Sequence, residues 1–169
     1  MGGSPKAGWQ GGFSLVELVA VLVILGVLAA YALPRFANID PFAERGFFEE
    51  ALAATRYAQK LAVASGCSIR VNFSAGSNSF EISRWTGDPD CTVRTLPLEI
   101  VSRPGSTTPF EASAPSGVNV GNSLTYYFDH VGRPHDTSGG LIADPANLRV
   151  SVGPRRIQVT PDTGLVVEN

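Results

Sequence analysis

A polar, glycine-rich stretch, MGGSPKAGWQGG, meets an unbroken apolar run, FSLVELVAVLVILGVLAAYAL, at the junction of Gly12 and Phe13. As a helix rising 1.5 Å per residue, the run from Phe13 to Leu33 extends about 30 Å, the hydrocarbon thickness of a bilayer. It holds one charged side chain, Glu17. A carboxylate inside a membrane helix costs on the order of 2.5 to 3.5 kcal/mol on insertion scales unless it is paired or lies near the interface. A partner for Glu17 is therefore expected. A cut between Gly12 and Phe13 would create one: a new amino group a helical turn away, able to neutralise the carboxylate within the chain or in a neighbour.

The rest of the 169 residues suits one modest domain, and 44% hydrophobic content supports a packed core after the apolar run is set aside. Thirteen basic residues nearly balance 15 acidic ones, so no global field points to nucleic acid or anionic lipid as the main partner. Any such binding must be local. The two cysteines, Cys67 and Cys91, form no C-x-x-C pair and sit near no histidine cluster of zinc-like spacing. A single disulfide in an oxidising compartment is the plainer reading, with two separate buried thiols as its alternative.

The segment Gly12-Phe13-Ser14-Leu15-Val16-Glu17-Leu18 resembles the prepilin peptidase motif of type IV pilins and type II secretion pseudopilins. The resemblance implies cleavage after Gly12, N-methylation of Phe13, and pairing of Glu17 with the N-terminus of an adjacent subunit. It also implies a single-pass protein of the bacterial inner membrane, its head in the periplasm, that later enters a pilus or pseudopilus. The implied partners are other pilin or pseudopilin subunits, the prepilin peptidase, an inner-membrane assembly platform, and membrane lipid before assembly. Gly26 and Pro34 fall where filament subunits of this family often lose helical structure, in keeping with glycine's low helix propensity and proline's missing donor. Against this stands Ala30-Tyr31-Ala32, which resembles a signal peptidase site and would give an ordinary secreted or anchored adhesin. Signal-peptide apolar cores are usually shorter than this run, and the basic region before it is weak.

After the run, Asp40-Pro41 offers an N-cap followed by proline at the first helical position. Phe47, Ala51, Ala54, Ala58, Leu61 and Ser65 then repeat at steps of three and four, a stripe that can lie on a sheet. Gly66 reads as the helix stop. Beyond it the period shifts towards two. Strands are expected at Ser68 to Ser74 and Ser79 to Trp85, then at Leu96 to Val101, Leu124 to Asp129, Leu148 to Val152, Ile157 to Thr160 and Leu165 to Val167. The expected organisation is a leader over 1–12, a transmembrane and assembly helix over 13–33, the second half of that helix over 34–66, and a β-rich head over 67–169. The resemblance implies an α+β fold of pilin type, a long N-terminal helix packed on an antiparallel sheet, and this coarse pattern agrees with it.

The string ATRYAQKLAVASGCSIRVNF, with FDHVGRP from Phe128 and IQVTPDTG from Ile157, is similar to the pseudopilin H and FimT-like minor pilin group. That similarity extends to the C minor pilin of the mannose-sensitive haemagglutinin pilus, and implies a minor subunit that primes or tips a pilus or secretion pseudopilus.

Other chemistry is thinly signalled. His130 and His135 flank a Gly-Arg-Pro turn beside Asp129 and Asp136, where a metal site can be drawn but a solvated turn is the simpler reading. Asp88 and Asp90 lack the longer ligand series of a calcium loop. No G-x-S-x-G elbow, H-E-x-x-H helix or cofactor-binding glycine fingerprint is present, so neither an enzyme nor a cofactor is expected. Arg149, Arg155 and Arg156 could form a local basic edge. Some FimT-like minor pilins are DNA receptors, so the resemblance permits DNA binding there without selecting it.

Overall fold

The computed structural model describes residues 14–36, 40–86, 91 and 97–169. The chain divides into two units, Met1–Ile39 and Asp40–Asn169.

In the first unit, helix α1 spans Leu15–Phe36. It opens after Ser14, whose carbonyl accepts from the N–H groups of Glu17 at 3.0 Å and Leu18 at 3.1 Å. Leucine, valine and isoleucine occur on every side of it, and those from Leu15 to Leu28 are between 45% and 78% exposed. Gly26 and Pro34 both lie within its helical backbone. Gly12 and Phe13 lie outside the described residues. Among the described residues no helix is long and apolar enough to cross a membrane; the span expected over 13–33 begins outside them, at Phe13.

The second unit begins with helix α2, Asp40–Ser65. Its buried side is made of Phe47, Phe48, Ala51, Leu52, Ala54, Thr55, Ala58 and Ala62. The run of alanines lets the helix backbone approach the sheet, while the phenylalanines fill the wider space near its start. Ser65 is exposed, against the expectation that it would extend the buried stripe, and bonds back to the carbonyl of Leu61 at 2.6 Å. Gly66, at φ +72°, takes the left-handed turn that ends the helix.

The main sheet holds β1 (Ile69–Ser74), β2 (Ser79–Trp85), β3 (Leu98–Ile100), β4 (Glu111–Ser113), β5 (Leu124–Phe128) and β6 (Pro134–His135), in the order β3-β2-β1-β5-β6, with β4 also pairing β2. Val71 at its centre faces Ile82 on one side and Tyr126 on the other. A second sheet, β7 (Arg149–Val152), β8 (Arg155–Val159) and β9 (Val166–Glu168), runs in that order. All the pairings between named strands are antiparallel. Ile69, Val71, Phe73, Phe80, Ile82, Tyr126 and Phe128 of the first sheet join Val150, Val152, Ile157, Val159 and Val166 of the second in one core with α2. Cys67 and Cys91 are joined as a disulfide with their Cα atoms 5.0 Å apart, tying the end of α2 to the segment that follows β2.

Candidate functional site

Two places in the chain carry features that its own core does not explain. The first is α1. Glu17 stands in the first turn, where a helix N-terminus favours a carboxylate. Its side chain is exposed, and among the described residues no ion pair reaches it. The helix around it is apolar on all faces, the pattern of a helix that is buried by lipid or by other helices.

The second place is where two turns meet α2. The β5–β6 turn contains Gly132 at φ +83°, and the β8–β9 turn contains Gly164 at φ +65°. The two backbones touch so closely that a Cβ on Gly164 would come within 1.8 Å of the Gly132 carbonyl oxygen. Gln59 of α2 bridges them, its Nε2 donating to the carbonyls of Thr163 at 2.9 Å and Gly132 at 3.4 Å. The two stretches singled out in the sequence, FDHVGRP and IQVTPDTG, are thus brought together on one residue of the helix. Gln59 itself was not foreseen; its only sequence signal is a polar side chain set beside the alanine stripe.

Next to this junction, Asp129 is buried and accepts at Oδ1 from the N–H groups of Arg133 at 2.8 Å and Val131 at 3.0 Å. Its Oδ2 meets His135 Nε2 at 3.0 Å, and the imidazole stacks on Tyr127 with ring centres 5.3 Å apart. Burial raises the carboxyl's pKa, but the Arg133 N–H, His135 and the Val131 N–H together outweigh it and hold the group below its ordinary value. His130, by contrast, is exposed. The structure therefore brings Asp129 and His135 together and leaves His130 out. Among the described residues no group of three or more His, Cys, Asp or Glu side chains could hold a metal. Asp88 and Asp90 lie outside those residues.

Comparison with known proteins bears on the first of these places. The family model described as the prokaryotic N-terminal methylation motif matches residues 10–33. Over 87 residues the chain is 34% identical to the type IV narrow pilus major component PilA5 of Thermus thermophilus, covering 48% of this chain and 73% of that protein. The chain belongs to the type IV pilin family. No solved structure matches it. As a pilin it is a subunit that is processed and assembled into a pilus with other pilin subunits, a structural component and not an enzyme. Gly12, Phe13 and Glu17 all fall inside the matched motif.

The pilin's three C-terminal arginines do not form one edge. Cross-strand pairing places Arg149 opposite Gln158 and Arg156 opposite Ser151, on the face away from the core. Arg155 points to the other face. There it lies 3.5 Å from Glu49 and 3.7 Å from Glu168, with its guanidinium 5.2 Å from the centre of the Phe48 ring. Its charge is committed to fastening α2 to the second sheet. Arg103, which the sequence did not single out, has the same kind of role: it pairs with Glu50 of α2, donates to the carbonyls of Pro109 at 3.1 Å and Glu111 at 3.0 Å, and covers Phe110.

Proposed function

We propose that this pilin is cut by prepilin peptidase between Gly12 and Phe13, methylated on the Phe13 amine, and drawn into its filament as a minor subunit. Before assembly it is held as a single-pass protein in the bacterial inner membrane with its head in the periplasm. The observation that carries this reading is α1: exposed apolar side chains on every face, with Glu17 as its sole acidic residue.

In lipid, those side chains face hydrocarbon. In a filament they face the helices of neighbouring subunits, and Glu17 is neutralised by the freed amine of an adjacent Phe13. A charge pair of this kind fixes register, because an unpaired carboxylate among apolar helices is costly. Gly26 and Pro34 are the positions where α1 gives way most readily when helices pack. The minor role is supported by the likeness of the head to the pseudopilin H and FimT-like group, whose resembling turns converge on Gln59. An inner-membrane assembly platform is the expected partner at extraction.

Two measurements on the native host test this. Mass spectrometry of the mature chain should find N-methyl-Phe13 as its first residue, and Glu17→Ala should lower incorporation into sheared filaments at least tenfold while leaving the membrane-bound pool intact. A mature N-terminus after Ala32 would sink the reading. Quantitative proteomics of the same filaments decides the minor role, which fails if this chain is the most abundant subunit.

A further inference from the structure

At one end of the main sheet stands β3, and its hydrogen bonds show which of its backbone groups face out. The Thr86 N–H donates to the Pro97 carbonyl at 3.0 Å, Arg84 pairs with Glu99, and the Val101 N–H donates to the Ile82 carbonyl at 2.8 Å. Further on, the Arg103 N–H donates to the Thr108 carbonyl at 2.8 Å, and the Val101 carbonyl accepts from the Phe110 N–H at 2.7 Å. Pro97, Glu99, Val101 and Arg103 thus turn their backbone groups inward. Alternate residues of an antiparallel ladder point the other way, so Leu98, Ile100 and Ser102 present N–H and C=O groups at the edge. Among the described residues no strand pairs with them there. Natural edges are commonly blunted by proline or lysine. Here Pro97 and Pro104 stand just outside the open run, and neither residue type lies within it.

Beside this edge, between β3 and α2, is a cleft of about 300 Å³, lined from the helix by Tyr57 and Leu61 and from the strands by Arg84, Glu99, Val101 and Arg103. Every charge in that lining is answered within the head, Arg84 by Glu99 at 3.2 Å and Arg103 by Glu50. The Tyr57 ring packs on Phe110, and among the described residues its hydroxyl has no hydrogen-bond partner. On the other face of the sheet Leu98, opposite Trp85, is 41% exposed. An occupant must therefore bring backbone donors and acceptors that repeat about every 7 Å, twice the rise of a strand, and side chains without charge. A helix keeps its backbone groups bonded within itself and cannot supply them. A second extended chain can.

We propose that β3 accepts an extended, uncharged, apolar segment of a partner polypeptide as an added antiparallel strand. Two of its side chains lie beside Leu98 and Ile100, and the one between them, opposite Glu99, enters the cleft against Tyr57 and Leu61. Backbone pairing gives the affinity and the cleft gives the selection of side chain. The role belongs to the head and does not depend on how the chain is anchored or assembled.

The test uses the full-length chain in detergent micelles and the capped peptide TVFVT, whose valines suit Leu98 and Ile100 and whose phenylalanine suits the cleft. Residue-resolved hydrogen exchange should show the N–H groups of Leu98, Ile100 and Ser102 protected about tenfold or more by the peptide, with much smaller changes at Glu99, Val101 and Arg103, which are already bonded inward. N-methylation of both valines should abolish the effect, and N-methylation of the phenylalanine alone should not. Ile100→Pro removes an outward N–H while sparing the inward ladder; it should abolish protection and leave the melting of the head nearly unchanged. Should that variant fail to fold, the two N-methylated peptides on the wild-type chain decide. No protection up to the solubility limit of the peptide, protection spread evenly over residues 98–103, or equal protection by both N-methylated peptides would each overturn the strand addition.

Discussion

Helices α1 and α2 are similar in length, 22 and 26 residues, yet are built for opposite surroundings. α1 is apolar on all sides and leaves those side chains exposed. α2 is divided: alanines and two phenylalanines on one side are buried by the sheets, and Ala53, Lys60 and Ala64 on the other are exposed. The difference lies in where each helix finds the surface that stabilises it. Most helical stability in proteins comes from packing an apolar face, not from propensity. α2 obtains that packing from its own chain, within Asp40–Asn169. α1 must obtain it from lipid or from other subunits, which is why a change in α1 should register in assembly and a change around α2 in folding.

The sharpest way to break that division is at Gly164. Alanine there must adopt φ near +65° and place a methyl group 1.8 Å from the Gly132 oxygen, so the two turns have to part and Gln59 loses both acceptors. Backbone strain, a steric clash and two lost hydrogen bonds together should cost about 4 kcal/mol or more. Thermal melting of the head, residues 40–169, reads this directly. A loss below about 1 kcal/mol would show that the junction is not what holds the turns to α2. Leu22→Ala in α1 should, in contrast, leave the melting of the head domain where it is.

Much of this was legible in the sequence because it repeats locally. The apolar run and Glu17 announce themselves within seven residues, and the alternation in β1, β2, β7 and β8 is a period that needs no tertiary partner to be seen. β4 and β6 were missed for the converse reason. Glu111–Ser113 and Pro134–His135 are three and two residues long, too short for a period, and a proline ordinarily argues against a strand. The ties that fix the site are long-range. Gln59 reaches carbonyls 73 and 104 positions away, and Arg155 pairs with a glutamate on the far side of the domain's sequence. Backbone acceptors leave no mark on residue identity, so Gln59 and Arg103 could not be read, and Arg155 was read only as part of a local basic edge with Arg149 and Arg156.

The Cys67–Cys91 bridge sharpens the comparison by a smaller step. It closes a loop over a sequence separation of 24 within the second unit. The chain-entropy account gives about 3 to 4 kcal/mol for a loop of that size. Cys67→Ser with Cys91→Ser should therefore lower the melting temperature of the head domain by an amount convertible to that figure, without abolishing its cooperative transition, since the core lies between α2 and the sheets. A reductant should reproduce the shift in the wild type and do nothing to the double variant. A double variant that melts with the wild type would mean that the bridge does not constrain the unfolded head.

The smallest expected effect is electrostatic, and it too belongs to the second unit alone. The Asp129 carboxyl is held below its ordinary value in the fold, so the unfolded chain binds its proton first as pH falls. A depressed carboxyl contributes stability that is complete above its unfolded value, about pH 3.9, and drains away as the solution is acidified through the folded value. Head stability should accordingly fall below about pH 4, and Asp129→Asn should flatten part of that fall. At pH 7 the variant should cost only about 1 kcal/mol, because an amide oxygen still accepts from the Val131 and Arg133 N–H groups. Asp136 is also lowered, by the Ser138 hydroxyl and the Gly140 N–H, so some acid dependence remains in the variant. Melting curves of both proteins from pH 2 to pH 7 separate the contributions: curves that converge in acid support the Asp129 account, and curves that stay parallel throughout reject it.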